Sequence, residues 1–290
     1  MNVGLLAPRL VIVTGLSGAG KTVVLNVLED LCYYTIDNLP IGFLPTFLRH
    51  IAEVDQPQYR HVAIGIDARN PADSLSGFPE RLVEMRRGAV ADLVFVEADN
   101  QTLIRRFSET RRRHPLSGQD LSLAVAIQEE RRLLGALSEH ADLRIDTSHS
   151  SVQELRDRVR ERIALRPAGT LSLQFIAFGY KHGVPADADF VFDVRCLPNP
   201  YWEPRLRDMS GQDREVVAYL EGAPEVRAMT EQIGAFLERW LPRFEAESRA
   251  YLTIAIGCTG GRHRSVYVAE RLAERFGSTG RALLVTYRDM

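Results

Sequence analysis

Four apolar residues, Leu10 to Val13, lead into a polar, glycine-rich stretch, after which Val24, Val27, Leu28 and Leu31 recur at i, i+3, i+4 and i+7. A short β-branched run followed by a helical period predicts strand, loop and helix. The alternation continues downstream: "YYTIDNLP" predicts a strand ending at Asp37, "HVAIGIDARN" one ending at Asp67, "ADLVFVEADN" one ending at Glu97 and Asp99, and "ADLRIDTSHS" one ending at Asp146. From Ser151, the positions Val152, Leu155, Val159 and Ile163 outline an amphipathic helix that runs to "RPAGT", residues 166–170, a Pro/Gly break expected at a domain boundary. Beyond it, "LSLQFIAFGYKHGVPADADFVFDVRCLPNP" predicts two strands with Lys181 and His182 between them, and the proline-dense "LPNPYWEPRL" an ordered loop. A helix over roughly 224–246 follows. Then come the strand "YLTIAIG", a second glycine loop, and a helix with Val266, Ala269, Leu272, Ala273 and Phe276 on one face, stopped by Gly277.

At 290 residues the chain exceeds one average domain, so two domains are expected, 1–166 and 167–290. No apolar run approaches the ~20 residues of a membrane span. The opening "MNVGLLAPRL" lacks the features of a signal peptide, so the expected location is the cytoplasm, with no membrane partner. Cys32, Cys196 and Cys258 share no CxxC spacing, which argues against a disulfide frame or a zinc ribbon. A net charge of −2 leaves any nucleic-acid contact to a local patch. Only two lysines occur, Lys21 and Lys181. A chain that otherwise uses arginine keeps lysine where a compact ammonium is needed.

Lys21 lies in Gly15-Leu16-Ser17-Gly18-Ala19-Gly20-Lys21-Thr22, a complete GxxxxGK[ST] between the first strand and helix. Glycines let the backbone wrap a polyphosphate, amides at the helix start point at it, Lys21 reaches the outer phosphates and Thr22 offers a hydroxyl to Mg²⁺. Acids at strand ends sit where a doubly wound sheet holds its ligand. Asp67 is the expected water-mediated Mg²⁺ ligand, with Lys21 and Asp67 as the catalytic pair; the alternative for Asp67 is a turn cap. "LIRRFSETRRRHPL", residues 103–116, carries five arginines, as an arginine-bearing kinase lid or as a solvated helix face. The fold class is thus α/β: a P-loop NTPase (kinase-like) parallel sheet with helices on both faces, plus a second carboxyl-terminal α/β domain.

The second glycine loop, "CTGGRHRS", repeats the strand, anion-loop, helix arrangement. Cys258, five residues, Arg264 and Ser265 have the spacing of a tyrosine-phosphatase loop. Gly257 stands where that loop has histidine, however, and Trp202-Glu203-Pro204 is only a weak stand-in for its aspartic acid. Phosphate binding without phosphoryl chemistry is the reading that fits.

Six strings, "TGLSGAGKT", "YYTIDNLP", "IDARN", "RRHPLS", "KHGVPADADFVFDVRCLPNP" and "IGCTGGRHRSVYVAE", in this order, resemble the family of the bacterial RNase adapter RapZ and its YvcJ-type relatives over about 10–288. The resemblance implies ATP at Gly15 to Thr22, GTP or a second nucleotide contact at Asp67, Ala68, Arg69 and Asn70, and weak ATPase and GTPase activity. It implies a carboxyl-terminal domain that binds a small regulatory RNA, presents it to an endoribonuclease and senses glucosamine 6-phosphate, in a homo-oligomer, typically a tetramer. The anion pocket would be built by Lys181, His182, Gly183, Thr259, Gly260, Gly261, Arg262, His263 and Arg264. Two positions depart from enterobacterial members: Tyr201 replaces a histidine, and "GRALLVTYRDM" replaces a basic tail, so RNA binding should be weaker. A regulatory adapter, a small-molecule kinase and a Cys258-based phosphatase are the three functional readings.

Overall fold

The computed structural model describes residues 9–54, 56–87, 89–117, 121–164, 170–247 and 249–290. The first eight residues of the chain and positions 166–169 of the expected boundary lie outside this set. The chain divides into two compact units, 1–164 and 165–290.

In the first unit, strands β1 (Arg9–Gly15), β2 (Tyr34–Ile36), β3 (His61–Gly65), β4 (Val90–Glu97) and β5 (Leu143–Asp146) form one parallel sheet of order β2-β3-β1-β4-β5. Crossovers run through α1 (Lys21–Asp30), α2 (Leu44–Val54), α3 (Ala72–Ser76), α4 (Phe78–Met85), α5 (Asn100–Thr110), α6 (Leu123–Leu133) and α7 (Gly135–Glu139), and α8 (Val152–Val159) closes the unit. Every residue of β1 is buried, as a central parallel strand covered on both faces requires. Even Arg9 is buried, its guanidinium 3.7 Å from the Asp92 carboxylate and bonded to the Ile163 carbonyl. The apolar stripe of α1 is Val24, Leu25, Val27 and Leu28, matching the period in the sequence. At α8, Ser151 and Glu154 form a reciprocal capping box. Val152, expected on the buried face, is 56% exposed, because the first residue inside the cap turns outward.

In the second unit, β6 (Ser172–Gly179), β7 (Phe190–Asp193), β8 (Tyr251–Cys258) and β9 (Ala282–Tyr287) form another all-parallel sheet, order β7-β8-β6-β9, with α9 (Arg214–Glu221), α10 (Pro224–Ala246) and α11 (Arg264–Gly277). The two strands expected after residue 170 are β6 and β7. They are not neighbours: β8 inserts between them. Alternation along β6 sends Leu173, Phe175 and Ala177 into the main core, where Phe175 and Phe276 rings lie 6.1 Å apart, and Ile176 and Phe178 into a smaller cluster on the other face. The terminal "ALLVTY" forms edge strand β9, and its short apolar run gave the sequence no separate signal.

Both tryptophans, Trp202 and Trp240, belong to the second unit, so tryptophan fluorescence reports its unfolding selectively. Phe175→Ala is expected to lower the stability read by that signal in urea by roughly 3–5 kcal/mol, while the far-UV signal of the first unit persists.

Candidate functional site

Each unit carries a glycine loop between a strand end and a helix start. In the first, β1 ends at Gly15 against β4: the Leu16 N–H donates to the Val96 carbonyl at 3.0 Å, and a Cβ on Gly15 would lie 1.9 Å from that oxygen. Gly15, Gly18 and Gly20 have φ of 133°, 83° and 115°, conformations that side chains resist. Leu16 and Ala19 are buried and anchor the loop. Gly20 immediately precedes α1, whose free amides and dipole favour an anion there. Lys21 Nζ donates to the Gly15 carbonyl at 2.5 Å, folded back over the loop. Burial lowers its pKa, opposed by the carboxylates of Glu130, Asp67 and Asp37. Thr22 is exposed in the first turn of α1.

The strand-end acids divide into two groups. Asp99 caps α5 through the Thr102 amide, Asp146 accepts from the Ser148 amide and hydroxyl, and Glu97 is paired with Arg131 and Arg144. Asp37 and Asp67 instead face Lys21. Asp67 is 6% exposed and accepts from the Arg69 amide at 3.0 Å and from Arg69 Nε and a terminal nitrogen at 2.8 and 2.5 Å. Burial raises its pKa, but the Arg69 hydrogen bonds and the Lys21 charge outweigh burial and hold it below the ordinary aspartate value. Of the stretch Asp67 to Asn70, Ala68 and Asn70 are buried. Asn70 spends its amide on the chain, accepting from the Ile41 N–H at 2.9 Å and donating to the Asp67 carbonyl at 3.3 Å, and so fastens the loop after β2 to the loop after β3. The Arg69 side chain is 53% exposed.

Glu130 and the role of His114 at this loop escaped the sequence reading, as did the bonds that tie Ser17 to them. Ser17 donates from its amide and its hydroxyl to the Glu130 carboxylate, at 2.8 and 2.7 Å, and His114 Nε2 bonds the same group at 3.0 Å. From the arginine-rich run, Arg106 donates to the Gly18 carbonyl at 3.1 Å and to the Thr147 carbonyl at 2.7 Å, while Arg111, Arg112 and Arg113 are exposed. The available signal for Glu130 was its register, one turn beyond Ala126 and Ile127 on the apolar face of α6.

In the second unit, β8 ends at Cys258 and α11 begins at Arg264. The sulfur anchors the loop: it accepts from the Gly261 amide at 3.2 Å and lies 3.2 Å from the Ser265 hydroxyl. Burial raises the thiol pKa, but these hydrogen bonds and the Arg264 charge bring it below the ordinary value. The thiol residue is only 3% exposed. Arg264, 4% exposed, donates to the carbonyls of Arg195 and Leu197 at 2.8 and 3.0 Å and to the Thr259 hydroxyl at 3.3 Å. His263 Nε2 bonds the Leu206 carbonyl at 3.1 Å, and burial lowers its pKa against the opposing pull of backbone hydrogen bonds. Arg262 donates to the Asp208 carbonyl. Arg264 and His263 therefore tie the segment 195–208 over the loop, whereas Lys181, His182, Gly183 and Thr259 are exposed beside it. The Lys181 amide bonds the Thr259 carbonyl, and its Nζ lies 4.0 Å from the Cβ position of Gly260. Among the described residues no cluster of three His, Cys, Asp or Glu suits a metal ion, and no helix is long and apolar enough to cross a membrane.

Because the Asp67 pKa is depressed in the folded chain, its stabilisation is complete above the ordinary aspartate range and is lost as pH falls through the depressed value. Arg69→Ala should move that loss to higher pH and cost no more than about 1 kcal/mol near neutrality, since Arg69 is half exposed. Urea titrations followed by circular dichroism between neutral and acid pH measure both.

Residues 9–166 match the family model of the RapZ-like N-terminal domain, and residues 171–290 that of the RapZ C-terminal domain. A nucleotide-binding protein of Alkalilimnicola ehrlichii is 53% identical over 97% of this chain and 98% of its own length. A nucleotide-binding protein of Stutzerimonas stutzeri is 50% identical over 97% and 99%. Among solved structures, an unliganded sugar kinase from Janibacter sp. HTCC2649 aligns with a TM-score of 0.35 at 16% identity, covering 53% of this chain and 92% of that one. With both units matched and half of all positions shared along nearly the full length, the chain belongs to the RapZ family.

Proposed function

We propose that the first unit binds the polyphosphate of ATP or GTP with Mg²⁺ and hydrolyses it slowly, and that the second binds a phosphorylated ligand, in a cytoplasmic regulatory protein. The observation that supports the first half is the loop itself: three glycines at positive φ lead into the start of α1, with the Lys21 ammonium folded back over them. The donor set suits the cation as well: the Thr22 hydroxyl and the Asp67 carboxylate are hard oxygen donors that would hold Mg²⁺ together with the phosphates, where it would offset phosphate charge. The names of the A. ehrlichii and S. stutzeri relatives support the same reading. In the stretch Asp67 to Asn70, Arg69 is the side chain suited to a second phosphate contact.

For the second unit, the buried thiol favours binding over thiol-based phosphoryl chemistry. Lys181, His182 and the Thr259–Gly261 backbone are the groups suited to a sugar phosphate such as glucosamine 6-phosphate, or to an RNA phosphate. The adapter role toward a small regulatory RNA and an endoribonuclease, and a tetrameric assembly, follow the family resemblance. A kinase is the second reading, favoured by Asp37: its carboxylate faces Lys21 and Arg69 and makes no hydrogen bond among the described residues, as a group awaiting an acceptor hydroxyl would. ATP turnover that rises with added hydroxyl acceptors would select it.

Lys21→Ala should reduce ATP affinity by roughly a hundredfold or more in calorimetry and leave the second unit's tryptophan unfolding unchanged; wild-type ATP affinity in this variant would remove the reading. In the second unit, Lys181→Ala should weaken binding of glucosamine 6-phosphate about tenfold without changing stability. Arg264→Ala, which leaves the buried Leu197 carbonyl and the part-buried Arg195 carbonyl without their donor, should cost roughly 1–3 kcal/mol of that unit's stability, measured in urea.

A further inference from the structure

Glu130 is the most deeply buried acid among the described residues, at 0% exposure. Its two oxygens accept three hydrogen bonds, from the Ser17 amide, the Ser17 hydroxyl and His114. The histidine tautomer is fixed by the chain: the Leu116 N–H donates to Nδ1 at 3.2 Å, so Nε2 carries the proton that goes to Glu130. Lys21 supplies the compensating charge. A carboxylate this deep cannot release a partner without leaving buried charge unpaired, so the connection from loop to histidine is stiff.

Two neighbouring contacts converge on the same loop. Arg106 bonds the Gly18 carbonyl, and a Phe107 ring carbon lies 3.2 Å from the Cβ position of Gly18. The Phe107 and His114 rings pack with centroids 5.2 Å apart. Ser17 and Gly18 are thus held from three directions by α6 and the segment 106–114. The exposed Arg111, Arg112 and Arg113 form the outer turn of that segment, immediately before His114.

We infer that Glu130 is a positioning residue which links filling of the first glycine loop to the placement of the Arg111–Arg113 turn, acting through Ser17 on one side and His114 on the other. The inference rests on the nucleotide reading. Phosphate oxygens drawn to the amides between Gly18 and Thr22 fix the backbone next to Ser17. Glu130 passes that constraint to His114, one residue beyond the three arginines, and so orders guanidinium groups near the outer phosphates. Glu130 touches no ligand in this scheme.

The test uses the full chain, ATP with Mg²⁺ as the probe, calorimetry for binding and native trypsin cleavage at Arg111–Arg113 for placement. In the wild type, saturating ATP should slow cleavage about tenfold. Glu130→Gln should keep this protection, because the amide oxygen can accept from the Ser17 N–H and from His114 while the amide nitrogen donates to the Ser17 hydroxyl. Glu130→Ala should still bind ATP, within about tenfold of the wild-type affinity, yet lose the protection. His114→Leu, which leaves Glu130 its two serine bonds, should do the same, and it carries the test if Glu130→Ala does not fold. ATP binding without protection in the wild type, or wild-type protection in both Glu130→Ala and His114→Leu, overturns the inference alone. No calorimetric binding in the wild type overturns the nucleotide reading and the inference with it.

Discussion

At Gly15 a methyl group would lie 1.9 Å from the Val96 carbonyl oxygen, and at Gly179 one would lie 2.6 Å from the Gly260 carbonyl carbon. Both units depend on this steric constraint. A parallel sheet leaves strand ends aligned on one edge, and a loop can cross that edge closely enough to present its amides only where a side chain is missing. In the first unit the glycine ends β1, opens the loop and meets the neighbouring strand. In the second it ends β6 and meets the loop that follows β8. The same packing problem is solved from opposite sides.

Charge then distinguishes the two loops. The first is surrounded by carboxylates, Glu130, Asp67 and Asp37, that offset a half-buried ammonium. The second is bounded by arginines and a histidine that are largely committed to carbonyl oxygens. Arg288 and Asp289 continue the pattern: Arg288 donates to the Gly183 carbonyl at 2.6 Å and Asp289 accepts from the Gly179 amide at 2.7 Å, so both charges fix the turn that carries Lys181. Few cations are left to act as free charges at the second loop, and the identity of Lys181 matters correspondingly more.

Much of this was legible in the residues, for identifiable reasons. The strand, loop and helix at 9–30 follow from apolar period and glycine spacing, which are local properties. Asp67 was visible as an acid directly after an apolar run, but Glu97, Asp99 and Asp146 show the same pattern, and only the fold separates them as paired or capping groups. Asn70 and Arg264 look like ligand groups in the sequence, and only the fold shows Asn70 spent on backbone and Arg264 divided between two carbonyls and the Thr259 hydroxyl. Glu130 was hidden in "QEERR", where neighbouring charges suggest a solvated face; its meaning depends on helix register and on Ser17, which is 113 residues away. Contacts of that separation have no local signature.

The anchoring of Cys258 separates two properties that usually travel together. A depressed thiol pKa normally marks a cysteine for alkylation and oxidation. Here the influences that lower it, the Gly261 amide, Ser265 and Arg264, also enclose the sulfur, whereas Cys32 and Cys196 stand exposed. Electrophiles meet the two exposed thiols first, and the Cys258 sulfur is sheltered from the chemistry its acidity would promote.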